Sequence, residues 1–198
     1  YYLLRGTRFA NIFMLVISFF FYAASAVWYL LPMLFTALVD YFVGQKIHDS
    51  QDPEYRKRML IWSVVINLGF LSIFKYTNWI SAESVSLLAF FGVHVGTLHL
   101  PLPAGISFYT FQSMSYTIDI YRREFKPHRS VIDYLSFVSF FPHLVAGPIM
   151  RAKVLLTQLS AYRKIPSCAE ISAAFFMILF GLFQKTVVAD NVGAIVET

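Results

Sequence analysis

"GISFYTFQSMSYTIDIYRRE", residues 105–124, is aromatic and fairly apolar, yet it carries Ser, Thr, Gln and Asp at close intervals and ends in a burst of charge. Read as a strand, Met114, Tyr116, Ile118 and Ile120 alternate with Ser115, Thr117, Asp119 and Tyr121. An open strand in lipid leaves its ladder groups unpaired, and a β-barrel does not carry long uncharged runs like those elsewhere in this chain. Read as a helix, at about 100° per residue, the same stretch puts Tyr109, Gln112, Tyr116 and Asp119 on one face and Phe111, Met114 and Ile118 on the other. The helix is therefore the expected form.

The rest of the chain says what surrounds that helix. Of 198 residues, 58% are hydrophobic, 18% aromatic and 14% charged, and the mean hydropathy is +0.61. Typical soluble domains are about one quarter charged. A soluble domain of this size has too little interior to hide so much apolar surface, so the composition describes an integral membrane protein. The net charge of +5 raises nucleic acid as a partner. The basic residues flank apolar runs, however, which is the pattern of orientation signals and anionic-lipid contact, so no nucleic-acid partner is expected. Cys168 is the only cysteine, which excludes an intrachain disulfide and a cysteine metal cluster.

Phe9–Val39 carries no charge. It is too long for one span of about 20 residues and short for two. Helices over about 9–23 and 28–44 are expected, broken at the small residues 23–26. Met59–Phe74 and Val85–Leu100 read as two further spans, closed by Lys75 and by Pro101 and Pro103. Ser130–Met150 is apolar apart from Asp133 and His143 and is interrupted by Pro142, Gly147 and Pro148, and Ile171–Leu182 starts a last apolar helix.

Three hydrophilic segments, 45–58, 122–129 and 151–164, hold most of the Lys and Arg. The positive-inside rule puts all three on the cytoplasmic side. With 59–74 leading out and 85–100 leading back, 104–121 and 130–150 have no full crossing of their own. Both are expected to enter the membrane and turn back. Irregular backbone at membrane depth is tolerated only inside protein or around a wet cavity. The expected fold is thus all-α, a multi-pass membrane protein with re-entrant segments around a polar cavity. The Tyr109, Gln112, Tyr116, Asp119 face is a candidate wall of it. For Asp119 a second role stays open, pairing with Arg122 or Arg123 at the interface.

His48 and His128 lie in charged segments, and the spacing of His94 and His99 does not match the i,i+4 pair of a helical metal site. No metal site is expected. His143, in FFPHLVAGPIM, is the histidine worth testing, although a packed core histidine is the commoner role. No G-x-S-x-G elbow, Walker loop, G-x-G-x-x-G or H-E-x-x-H occurs, so the residues alone leave the chemistry open.

LVDYFVG (38–44), NLGFLSIFKYTNW (67–79), LPAGISFYTFQSMSYTIDIYRRE (102–124), FVSFFPHLVAGPIMR (137–151) and QKTVVADN (184–191) together resemble the membrane-bound O-acyltransferase (MBOAT) family. Within that family the chain looks like the branch of alginate O-acetyltransferase membrane subunits. The resemblance implies a multi-pass enzyme of the bacterial inner membrane, folded as helices around a thin centre, that moves an acyl group to hydroxyls of an exopolysaccharide such as alginate. It implies an acyl thioester donor such as acetyl-CoA as substrate, no bound cofactor, and periplasmic acetyltransferase proteins as partners beside membrane lipid. It also implies one membrane-embedded domain over 1–198, representing the N-terminal to middle part of a longer protein. The family's catalytic histidine lies in a later segment, expected beyond Thr198, so no catalytic residue is expected in this chain and the chain alone should be inactive. Relatives carry other residues where His143 stands, which argues against catalysis by it. Tyr109, Gln112, Tyr116, Asp119, His143 and Arg151 are expected to line the substrate channel. Two other classes fit broken helices with polar midplane residues: a multi-pass transporter and a non-catalytic membrane scaffold for periplasmic acetyltransferases.

Overall fold

The computed structural model describes residues 8–91, 96–145, 147–161 and 165–196. It divides into two units, residues 3–161 and 162–198. Every regular element among the described residues is helical. Three stretches, Val27–Asp49, Pro53–Leu87 and Cys168–Gly193, are long and apolar enough to cross a membrane. The chain is an all-α membrane protein.

Among the described residues the first unit holds six α-helices: α1 (Arg8–Ala23), α2 (Leu30–Asp49, entered through a 3-10 turn at Val27–Tyr29), α3 (Pro53–Phe90), α4 (Ile106–Tyr121), α5 (Val131–Val138) and α6 (Ala152–Ser160). The break between α1 and α2 falls at the small residues 23–26, as expected. The hydrophilic segment 45–58 is not the loop that its polarity implies. α2 runs on to Asp49 and α3 starts at Pro53. Charge does not break a helix, whereas Asp52-Pro53 starts one. Pro at the first helical position loses no bond, and Asp52 Oδ1 accepts the backbone N–H of Glu54 at 2.9 Å.

The span expected at 59–74 and the first residues of the one expected at 85–100 belong to a single 38-residue helix, α3. Lys75 does not end it, since between Pro53 and Phe90 the only weak helix former of the Gly/Pro class is Gly69. Interruption needs proline or clustered glycine, and these come only at Gly92, Gly96, Pro101 and Pro103. Residues 92–95 of the expected third span lie outside the described residues. Beyond them residues 96–103 form no helix. Asn78 holds this strap on both sides of Leu100, donating to its carbonyl at 2.8 Å and accepting its N–H at 2.7 Å.

α4 instead runs back alongside α2 and α3. Its last turn meets the start of α3 and the end of α2. The Arg56 guanidinium donates to the carbonyls of Tyr121 and, at 3.2 Å, Ile47, and Arg123 reaches the Ser50 carbonyl at 3.4 Å. Its first residues follow the strap fixed to Asn78, 22 residues further along α3, or about 33 Å at 1.5 Å per residue. Residues 104–121 therefore do not enter and turn back. They run straight, parallel to α2 and antiparallel to α3.

Residues 130–150 do go out and return. The segment leaves beside Arg129, whose carbonyl accepts the Tyr41 hydroxyl at 2.7 Å. It reaches the far end of α4, where Leu144 touches Gly105. It returns to Arg151, whose guanidinium lies 3.9 Å from the Glu124 carboxylate. α5, at about 12 Å, is too short to span. Pro142 and the Gly147-Pro148 pair supply the bends, in a segment whose placement beside α1 is fixed by Ser18 Oγ accepting the Phe141 N–H at 3.3 Å. The basic segments 45–58 and 122–129 and the Arg151 end of the third thus gather at one end of the helices, as the charge pattern expects, but by a different route, while Arg163 and Lys164 lie outside the described residues.

The second unit is a helical rod: α7 (Cys168–Phe183), a π-turn (Gln184–Ala189) and α8 (Asp190–Val196). Ser167 and Glu170 form a capping box at its start. The i→i+5 pattern of the π-turn puts Lys185 and Asp190, five residues apart, on one side, and they form an ion pair at 2.8 Å.

Candidate functional site

α4 begins at Gly105 because only glycine fits there. Its φ is +72°, and a Cβ would run into the Leu144 carbonyl oxygen. This fixes where the first turn of α4 meets the returning segment. From there helical phase puts Tyr109, Gln112, Tyr116 and Asp119 on one buried face, the face the sequence groups.

The structure brings Gln112 and His143 together. Gln112 Nε2 lies 2.7 Å from the Phe137 carbonyl and 3.0 Å from His143 Nε2. A carbonyl oxygen only accepts, so the amide nitrogen faces it and its second hydrogen points at the imidazole. His143 Nε2 is then the acceptor, and in the neutral ring Nδ1 carries the proton. Gly147 packs so closely on His143 that a Cβ would collide with the histidine's own Cβ. The ring is also 5.1 Å from that of Phe140. The site can thus hold a neutral histidine in one tautomer and offer an N–H to an oxygen atom.

The other four expected residues lie apart from this pair. Tyr109 stands edge-on to Tyr22, centroids 6.3 Å apart, and the Tyr22 hydroxyl donates to the Ala104 carbonyl at 2.7 Å. Tyr116 packs on Tyr134 at 4.5 Å and against Gly44 of α2. Asp119 is buried near the basic end, yet it forms no ion pair with Arg122 or Arg123 among the described residues. Arg123 turns instead to the Ser50 carbonyl and to Gln51 Oε1 at 3.2 Å. Arg151 is exposed and faces Glu124. Thr198, beyond which the resemblance places the catalytic histidine, lies outside the described residues.

Sequence reading passed over the most connected polar group. Asp40 of α2 is fully buried. Its Oδ1 accepts Ser63 Oγ at 2.5 Å and Asn67 Nδ2 at 2.9 Å, both from α3. Its Oδ2 accepts Ser113 Oγ at 2.5 Å, from α4. Ser113 Oγ lies 2.8 Å from the Tyr134 hydroxyl of α5, and Ser63 Oγ lies 3.3 Å from Thr117 Oγ1. One carboxylate ties three helices together and reaches a fourth through Ser113. The signal was a single acid inside LVDYFVG, since an ionisable residue in an apolar span is costly and marks a function or a partner. In the sequence the same residue also closes the uncharged run Phe9–Val39, which masks that signal.

Two open grooves flank this core. One, of about 640 Å³, is lined by His128, Arg129, Ser130, Ile132 and Asp133. The other, of about 420 Å³, is lined by Pro53, Glu54, Lys57, Arg58, Ile61 and Tyr121. Among the described residues no group of three or more His, Cys, Asp or Glu is placed to hold a metal ion.

No protein-family model matches the chain, and no solved structure matches it. Curated relatives do. The probable alginate O-acetylase AlgI of Pseudomonas aeruginosa is 35% identical over 199 aligned positions, covering 99% of this chain and 38% of that protein. The protein of the same name from Pseudomonas putida is 33% identical, covering 99% of this chain and 40% of its own length. The peptidoglycan O-acetyltransferase of Helicobacter pylori is 33% identical over 213 positions, covering 94% of this chain and 40% of that protein. The chain spans about two fifths of the length of these relatives. Its likeness to alginate and peptidoglycan O-acetyltransferases bears out the resemblance carried by the motifs.

Proposed function

We propose that this chain is the helical scaffold of a membrane O-acetyltransferase. The full protein would sit in the bacterial inner membrane with several crossings. It would move an acetyl group from a thioester such as acetyl-CoA to hydroxyls of an exopolysaccharide, alginate or another glycan, with periplasmic acetyltransferase proteins as partners. The observation that carries this reading is the similarity over 94–99% of the chain to proteins named for alginate and peptidoglycan O-acetylation.

The transfer forms a C–O bond and breaks the thioester C–S bond. A base must take the hydroxyl proton and return it to the leaving thiolate, which departs as the free thiol, and N–H donors must meet the developing oxyanion. The resemblance assigns the base to a histidine outside these 198 residues. Within them, the Gln112–His143 pair supplies an oriented N–H, and Tyr109, Tyr116, Asp119 and Arg151 are the other residues assigned to the channel wall. The test uses the full-length protein in sealed vesicles with radiolabelled acetyl-CoA on one side and polysaccharide on the other. Ester-linked label on the polysaccharide is the expected result. Passage of label without ester formation would make the protein a transporter.

A further inference from the structure

We propose that the groove between the first turns of α3 and the end of α4 binds one anionic phospholipid, with its phosphate on Lys57 and Arg58 and its acyl chain along α3. The groove is lined by Pro53, Glu54, Lys57, Arg58, Ile61 and Tyr121 and encloses about 420 Å³. Its rim sets the cations Lys57 and Arg58 against one acid, Glu54. Neither cation forms an ion pair among the described residues. Arg56 is not a phosphate ligand here, because its guanidinium donates to the carbonyls of Ile47 and Tyr121. It stands 5.3 Å over the Tyr121 ring and adds a third positive charge there.

What makes this a lipid site rather than a bare phosphate site is the surface one turn further on. Residues four apart share a helix face. Ile61 lies below Lys57 and Trp62 below Arg58, and Val65 and Leu68 continue the stripe. All four are exposed, in the uncharged run that begins at Met59. Cations above an exposed aliphatic track, with a Trp at their border, match a phosphate followed by a hydrocarbon chain and an interfacial aromatic. Clustered Lys and Arg beside a span attract anionic headgroups. The inference does not rest on the acetyltransferase reading.

The full-length protein, reconstituted in nanodiscs of mixed phosphatidylglycerol and phosphatidylcholine and then released for native mass spectrometry, tests it. Wild type should keep one phosphatidylglycerol through release. Lys57→Gln/Arg58→Gln should keep about 30-fold less, from two surface charges lost, while its circular dichroism stays unchanged. The charge-preserving pair Lys57→Arg/Arg58→Lys should keep the lipid. Equal retention by the neutral variant overturns the proposal, as does equal retention of phosphatidylcholine by wild type. Excess glycerophosphate, a headgroup without chains, should fail to displace the lipid. If it succeeds, the site binds phosphate alone and the proposal falls.

Discussion

Ser113 Oγ donates to Asp40 Oδ2 at 2.5 Å, joining two helices 73 residues apart in sequence. With Ser63 and Asn67 on the other oxygen, this carboxylate keeps α2, α3 and α4 in register, and through Ser113 it reaches Tyr134 of α5.

Asp40→Ala should be among the most destabilising single changes. It leaves two hydroxyls and an amide without their acceptor, and each buried orphan costs about 1–3 kcal/mol. A loss of roughly 3 kcal/mol or more is expected, read as a fall in the melting temperature of the full-length protein in detergent. Asp40→Asn keeps one acceptor oxygen and should lose less. An Asp40→Ala protein as stable as wild type would remove the carboxylate from its proposed structural role.

Two glycines on neighbouring helices should behave oppositely. A Cβ at Gly44 would sit 2.8 Å from Tyr116 Cε1 and 2.9 Å from Ile120 Cδ1, whereas nothing lies within 4 Å of one at Gly69. Gly44→Ala forces α2 and α4 apart and should cost about 1–3 kcal/mol, as overpacking does. Gly69→Ala removes a weak helix former and should be neutral or stabilising by up to about 1 kcal/mol. Thermal melts of the two variants side by side decide the point, and equal effects would contradict the close α2–α4 approach.

At Gly105 the expected penalty has two sources. Alanine pays about 1–2 kcal/mol for the left-handed backbone, and its Cβ meets the Leu144 carbonyl. Gly105→Ala should therefore loosen the returning segment more than it affects α2 and α3. Hydrogen exchange should rise in residues 139–145 before it rises in α3. Unchanged exchange there would show that the contact does not hold the segment.

For activity, Gln112 and His143 should act as one unit. Gln112→Ala removes the donor that fixes the imidazole, and His143→Ala removes the ring. Each should slow acetyl transfer by the full-length protein about tenfold, and the double variant should be little worse than either, a coupling of the order seen for residues in direct contact. Tyr116→Phe keeps the packing against Tyr134 and Gly44, so expression should hold while transfer reports whether the hydroxyl matters. Additive losses at 112 and 143 would mean that the pair does not work as a pair, and wild-type turnover in Gln112→Ala and Tyr116→Phe would remove both from the wall.

Composition and helical phase determined that this is an all-α membrane protein. They placed the break after Ala23, grouped Tyr109, Gln112, Tyr116 and Asp119 on one face, and marked 130–150 as a segment that returns. These follow from local physics: hydropathy, a period of 3.6 residues, and proline and glycine as interrupters. Helix bounds are less legible, because charge does not terminate a helix: Lys75 lies inside α3, and 45–58 is helical on both sides of the short break before Pro53.

Which polar groups meet was decided by tertiary structure alone. Asp40, Ser63, Ser113 and Tyr134 are spread over 95 positions, and neither pattern nor spacing links them. Their bonds exist because α2 and α4 run parallel while α3 runs against both, an arrangement set by the close approach at Gly44 and the turn at Gly105. A buried carboxylate finds its donors only after the helices have docked, so the site's chemistry belongs to the packing and not to any one stretch of chain.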